Sequence, residues 1–487
     1  MPFQNLHQFI DAISQKGWLS KIEDEWDPVL EIAEIVNQTL KKQGPALLFE
    51  KPKGSKIPLA VNLFGSHERL FLALGISSYQ EIAQRIKEFL IPPSPSTLIE
   101  KLELLPKLME MNSFLPKKVK KGACQEVVLE NPSLDFLPIL KCWPKDAGKY
   151  ITFPLVITKD LETGTRNVGC YRMQVHDSKT TGMHWQIHKD ATHHFAKYRE
   201  KGKKMEVAVA IGADPATLFA AVSPLPPGID ELLFSGFLRR SPVEVVKGIT
   251  VDLEVPAEAE IVLEGYVDPE ERRVEGPFGD HTGFYSLPEP YPIFHLTALT
   301  HRKNPIYLTA IVGKPPQEDL YFGKAIERIF LPLIQIFFPE ICDINFPVEG
   351  VFTNCAIVSI KKAYPGHGKK IIHGLWGLGQ IMWTRFIIVV EHNIDIQKLS
   401  ETAWWIFTTF DPEKNLVISD GPLDALDHAS NSEKYGKKLG FDCTKPWKEE
   451  GRTRQWPEEI QMDPEITEKV RQNMDRLLKN ISPKSLE

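Results

Sequence analysis

Two short stretches carry the residue types that chemistry needs. Asn167-Val-Gly-Cys-Tyr-Arg172 sets an amide and a guanidinium five residues apart. Glu275-Gly-Pro-Phe-Gly-Asp280-His-Thr-Gly283 sets two carboxylates five residues apart, in a loop stiffened by glycines and a proline. A guanidinium clamped between two acids can hold a carboxylate substrate and keep a proton donor beside it. Arg172, Glu275 and Asp280 are therefore the candidate catalytic residues. The second stretch also has a plainer reading as a tight turn, because Gly and Pro are the usual turn residues.

A metal-binding pattern is less direct. His184-Trp-Gln-Ile-His188 would place both imidazoles on one face of a strand or a helix. It lacks the Glu of a zinc-protease motif, and only one of the two histidines need be a ligand. Taken together, Asn167, His188 and Glu231 make a hard, mixed nitrogen and oxygen shell without thiolate. Such a shell suits Mn²⁺ or Mg²⁺ and leaves positions for a phosphate or water. The sequence does not bring the three together by itself, and Glu231, in Asp230-Glu-Leu-Leu-Phe, reads alone as a helix-surface acid. Gly366-His-Gly-Lys-Lys370 lacks the spacing and the Ser/Thr of a phosphate loop. No Gly-x-Gly-x-x-Gly follows a strand and there is no Gly-x-Ser-x-Gly elbow, which disfavours a dinucleotide domain and an α/β-hydrolase.

The elements that must position these residues fall into three textures. Apolar residues at helical spacing (Leu6, Phe9, Ile10, Ile13; then Ile32, Ile35, Val36, Leu40) alternate with strand-like runs at 46–49 and 59–64. Ser78 and Glu81 form a capping box before a further helix, and Pro92-Pro93-Ser94-Pro95-Ser96 breaks the pattern. From about residue 123, short β-rich segments separated by turns predict an antiparallel sheet or barrel: 126–129, 152–158, 168–176, 182–187, 207–211, 261–267 and 293–301. One helix begins inside it at Asp214-Pro215, with Asp as N-cap. Beyond about 315 the alternation of helix (323–338, 369–382) and strand (354–360, 386–390) predicts an α/β unit with a parallel pair. The tail, 464–481, puts Ile466, Val470, Met474, Leu477 and Ile481 on one stripe that must dock on its own domain or on a partner subunit.

Bulk properties narrow the function classes. The 487 residues are 42% hydrophobic and 25% charged, enough for several soluble domains. A net charge of -6 without a basic face argues against nucleic acid, and Lys117-Lys118 with Lys120-Lys121 reads as a solvated loop. Six scattered cysteines suggest neither a disulfide framework nor a thiolate zinc site. No signal peptide or spanning stretch is apparent, so the expectation is a cytoplasmic protein.

At these residues the chain resembles the UbiD family of reversible decarboxylases. Gly212-Ala-Asp-Pro-Ala-Thr217, Asp252-Leu-Glu-Val-Pro-Ala257, Glu260-Ile-Val-Leu-Glu-Gly-Tyr266 and Gly313-Lys-Pro-Pro-Gln317 extend the resemblance over nearly the whole length. It implies an α/β (α+β) fold: an N-terminal α/β domain (1–115), a central split β-barrel like that of flavin reductases (116–312), and a C-terminal α/β domain (313–487) with a terminal docking helix. It implies prenylated FMN held by Asn167, Gly169, Cys170, Tyr171, Arg172, Ile187, His188, Glu231 and Arg385. Mn²⁺ would be held by Asn167, His188 and Glu231, and K⁺ by carbonyls near Ala221 to Ser223. Arg172, Glu275 and Asp280 would form the acid–arginine–acid network. Arg385 stands where relatives often carry Lys, a departure that changes how a phosphate would be gripped.

The resemblance further implies decarboxylation of an aromatic acid of hydroxybenzoate or hydroxynaphthoate type in ubiquinone or menaquinone biosynthesis. A flavin prenyltransferase would supply the cofactor, and the oligomer would be a dimer or a trimer of dimers; peripheral contact with a membrane stays open. Alternatives are catabolism of phenolic or acrylic acids, and a flavin-binding protein without lyase activity. In the proposed chemistry Arg172 orients the substrate carboxylate, Glu275 fixes Arg172, and Asp280 delivers the proton. Burial and a neighbouring carboxylate are expected to raise the pKa of Asp280 for that task.

Overall fold

The computed structural model describes residues 3–90, 110–186, 189–226 and 228–478. It shows the mixed α/β class read from the sequence, with the central sheet curled into a half-barrel. That sheet runs Thr180–Gly182, Glu289–His301, Ile261–Glu275, Met205–Ile211, Leu155–Lys159, Arg166–Cys170, every neighbour antiparallel. Val207, Val209 and Ile211 alternate with Ala208 and Ala210 and both sets are buried, so the sheet has a packed layer on each face.

The N-terminal periodicities become helices Leu6–Gln15 and Glu31–Lys41. Their neighbouring strands, Leu19–Trp26, Ala46–Pro52 and Leu59–Val61, form a sheet completed by Tyr307–Leu308 from far along the chain. One apolar cluster joins this region to the barrel: Phe9 stacks on Phe64 at 5.3 Å, and Phe64 meets Phe322 at 5.2 Å. Burial of large aromatic side chains of this kind is worth about 2–3 kcal/mol each. Asp214 caps the Pro215–Ala221 helix as expected, accepting from the Thr217 amide at 3.2 Å, and its other oxygen pairs with Arg239 at 2.8 Å.

The C-terminal sheet is Ile341–Asn345, Cys355–Ile360, Phe386–Glu391, Tyr435–Cys443, Leu416–Pro422. It contains two parallel pairs, the second of them made through the Tyr435–Cys443 strand that the sequence reading missed. The expected helix 369–382 divides into an α-helix, His367–Trp376, and a 3₁₀ turn, Gly379–Trp383. Gly379 at φ +46° marks the break. Other readings are corrected as well. Lys117–Val119 is a strand parallel to Glu244–Lys247, with Lys117 paired to Glu244 and Lys118 to Glu254, not a free loop. The expected strand 168–176 splits into Arg166–Cys170 and Met173–Gln174, with Arg172 in the gap.

Along the Pro464–Leu478 helix, Ile466, Val470 and Met474 remain 41–47% exposed on this chain. The Pro92 to Ser96 break and Ile481 lie outside the described residues. Among the described residues no helix is long and apolar enough to cross a membrane.

Candidate active site

Arg172 leaves the sheet just after the Arg166–Cys170 strand, and Glu275 is the last residue of the long Ile261–Glu275 strand. Asp280 follows in a loop closed by a bridge between Gly279 and Tyr285. These three segments converge. Arg172 Nε donates to Glu275 Oε1 at 2.8 Å, and Arg172 NH1 donates to Asp280 Oδ2. The Arg172 guanidinium lies over the Phe278 ring at 4.4 Å, and its NH2 reaches Ser286 Oγ at 3.4 Å. Glu275 is 1% exposed and Asp280 5%, so both acids are lodged in the protein around one cation.

The loop is tied down by groups the sequence reading did not single out. Gln174 Oε1 accepts from the Gly276 amide at 2.8 Å and from the Tyr150 hydroxyl at 3.0 Å. Asp146 Oδ1 accepts from the Gly279 amide at 2.7 Å, and Ser286 Oγ accepts from the Phe278 amide at 3.2 Å. Gly276 sits at φ +97°, where a Cβ is strained. A Cβ on Gly279 would lie 2.2 Å from the Trp143 ring. His184 is also part of this network: its Nδ1 is 3.0 Å from Glu275 Oε2, and its ring packs on Tyr291 at 4.3 Å. A signal for His184 existed in the His184/His188 pair, but strand geometry alone could not say which acid it would meet.

The electrostatics correct one expectation. Burial pushes Asp280 up, but the Arg172 charge and the hydrogen bond and charge of His281 outweigh it, holding the carboxyl well below the usual carboxylate range. Glu275 is lowered in the same way, with burial opposed by Arg172 and His184. The resting site therefore holds two carboxylates, not an acid and a carboxylate. Cys170 is pushed up to about 12 by burial and stays a thiol.

The candidate metal-binding residues are only partly in view. Asn167 is 4% exposed on the Arg166–Cys170 strand. Glu231, in the first turn of the Glu231–Arg239 helix, accepts at 2.9 Å from the amide of Val168, the residue next to Asn167. Arg166 ties the same turn down through Asp230 at 2.6 Å. Glu231 is thus no free surface acid; burial pushes it up to about 8. A half-buried carboxylate whose pKa is pushed up in this way can be satisfied by a cation, and the amide of Asn167 is a neutral oxygen donor on the adjoining strand. Ile187 and His188 lie outside the described residues. Among the described residues, no three His, Cys, Asp or Glu side chains are grouped as a metal site.

Of the remaining cofactor candidates, Tyr171 is buried beside Asn167, whose Nδ2 is 3.5 Å from the phenol oxygen. A Cβ on Gly169 would meet the Tyr171 ring at 2.5 Å, so that close approach requires glycine. Arg385, by contrast, is gripped by Asp427, with Nε to Oδ2 at 2.6 Å. The same C-terminal connection reaches the Glu275 to Gly283 loop, where Thr282 Oγ1 and His428 Nε2 are 3.1 Å apart.

Comparison with known proteins bears on these groups. Three family models match in order: the 3-octaprenyl-4-hydroxybenzoate carboxy-lyase N-terminal domain over 10–86, the Rift-related domain over 117–315, and the C-terminal domain over 320–443. An uncharacterized protein of Archaeoglobus fulgidus is 52% identical, covering 96% of this chain and 98% of its own. The vanillic acid decarboxylase of Sedimentibacter hydroxybenzoicus in closed form superposes with a TM-score of 0.87 at 27% identity, covering 99% of this chain and 100% of its own. The UbiD-class enzyme HmfF of Pelotomaculum thermopropionicum, in an evolved dimeric form bound to prFMN, gives 0.78 at 30% identity, covering 96% and 98%. Matched along almost all its length, with an arginine seated between two buried acids, the chain belongs to the UbiD family of carboxy-lyases.

Proposed function

We propose that this protein decarboxylates an aromatic acid, of hydroxybenzoate or hydroxynaphthoate type, with prenylated FMN as cofactor and in the service of quinone biosynthesis. The observation that carries the reading is the buried Glu275–Arg172–Asp280 constellation. The vanillic acid decarboxylase and the prFMN-bound HmfF support the substrate class and the cofactor. Loss of CO₂ from an aromatic carbon leaves an electron pair that no side chain can absorb; the flavin, when bound, supplies that electron sink.

The chain's own residues do the rest. Arg172 is a planar donor that can take a carboxylate in place of Asp280 while Glu275 keeps it oriented. Once Arg172 turns to the substrate, burial becomes the main influence on Asp280, and its acid form becomes accessible for protonating the ring carbon. Asn167, His188 and Glu231 would hold Mn²⁺, satisfying the half-buried Glu231 charge, with K⁺ on carbonyls of 221–223 and Arg385 near the cofactor. The division into domains 1–115, 116–312 and 313–487 follows the same reading. So does a cytoplasmic homo-oligomer formed through the exposed stripe of the Pro464–Leu478 helix.

A second reading, catabolism of a phenolic acid, is favoured by the 0.87 superposition on the vanillic acid enzyme. The test is production of the chain with a flavin prenyltransferase, mass spectrometry of the extracted cofactor, and CO₂ release from hydroxybenzoates, hydroxynaphthoates and vanillic acid. Unmodified FMN with no CO₂ from any acid would reject the proposal.

A further inference from the structure

Asp280 faces two cations through different oxygens. Oδ2 takes Arg172, whereas Oδ1 takes His281 twice, from the backbone N–H at 2.7 Å and from Nδ1 at 2.9 Å. The imidazole is largely enclosed, its side chain 21% exposed. Two more acids from other parts of the chain act on it: Asp319, in the first turn of the Asp319–Phe337 helix, and Asp424, in the connection after the Leu416–Pro422 strand. Asp319 is half-buried, but its Oδ1 is shut off from solvent and has no hydrogen-bond partner. The Phe352 ring closes a further side at 6.4 Å.

We propose that His281 stores the proton that Asp280 delivers, passing it from Nδ1 to Asp280 Oδ1 when substrate draws Arg172 away. This rests on the decarboxylase reading and extends it to a positioning residue outside the acid–arginine–acid set. Electrically the arrangement is consistent. Burial pulls the imidazole down, but Asp280, Asp319 and Asp424 push it up to about 9, so at neutral pH it carries a proton beside an ionised Asp280. An incoming carboxylate on Arg172 removes the main stabiliser of the Asp280 anion. The N–H bond of imidazolium then breaks, an O–H bond forms on Asp280, and the ion pair becomes a neutral pair, which a buried site favours. After the proton moves to carbon, Asp280 is again a carboxylate and neutral His281 regains one proton from solvent. One proton enters for each CO₂ that leaves.

Two measurements test this. In the full chain made without cofactor, histidine NMR should show one resonance, absent in His281→Gln, that titrates near pH 9 and moves toward the free-imidazole value of about 6.5 in Asp280→Asn. A His281 that is neutral at pH 7.5, or unmoved by Asp280→Asn, overturns the proposal. In loaded enzyme, with the panel acid that wild type decarboxylates, His281→Gln and His281→Asn should each lower kcat about 10- to 100-fold at unchanged KM. Both should also lose the alkaline limb near pH 9. His281→Asn can still donate to Asp280 but cannot titrate, so full activity in it would reduce His281 to scaffolding and refute the relay. If wild type releases CO₂ from no aryl acid, the decarboxylase reading falls while the NMR titration still decides the proton store.

Discussion

Replacing Arg172 by methionine removes the charge while keeping enough side-chain length to pack on Phe278. At the 2.8 Å Arg172–Glu275 contact the attraction is about 6 kcal/mol for an effective dielectric of about 20, most of it offset by desolvation of the pair. Deleting one partner strands the other, and that costs about 3–5 kcal/mol. Here two carboxylates are stranded, so the penalty should depend on pH. In the wild type both acids sit below their ordinary values, so their contribution is full above the unfolded carboxylate range and drains away on acidification. Without Arg172, burial is the largest single influence left and both native pKa values rise, although His281 and His184 still oppose it. The ionised acids then gain less from folding, so the deficit of the variant is largest where both are ionised and shrinks on acidification. Hydrogen exchange of residues 275–286, in chain made without cofactor, should thus show a loss of protection at pH 8 of roughly two to four orders of magnitude. The loss should be smaller at pH 5.5. Equal protection in both proteins at pH 8, or a larger loss at pH 5.5, would refute the reasoning.

Other changes probe separate links. Asp280→Asn should lower kcat by about 10³-fold or more while the flavin spectrum of the purified protein is unchanged, because it keeps the shape but not the transferable proton. Glu231→Gln should lose most bound manganese by elemental analysis, and cofactor content should fall with it, typically by about 10- to 100-fold in affinity. Gly279→Ala should push on Trp143, shift its fluorescence and cost about 1–3 kcal/mol, since the added carbon would stand 2.2 Å from the ring.

Much of the site was legible because it rests on residue type. The pairing of Asn167 with Arg172 and of Glu275 with Asp280 pointed to a clamp, and the strand-rich middle and alternating C-terminal third reflect local periodicity. Elements were lost where periodicity is weak. The hairpin of Leu416–Pro422 and Tyr435–Cys443, rich in Gly, Lys and Asp, does not alternate cleanly. The Asp190–Glu200 helix, with two histidines and few apolar residues, shows little amphipathic signal.

Sequence alone therefore determined which functional groups exist and which strands and helices carry most of them, since backbone preferences and apolar spacing are local properties. Tertiary structure decided what each group feels. His184 chose Glu275. Glu231 turned inward beside Val168. Asp280 became an anion although it is buried, because charges from residues 172 and 281 meet on it. Such effects depend on distances between residues as much as 108 positions apart, as Arg172 and Asp280 are. Coulomb and desolvation energies are set by those distances, and only the folded chain defines them.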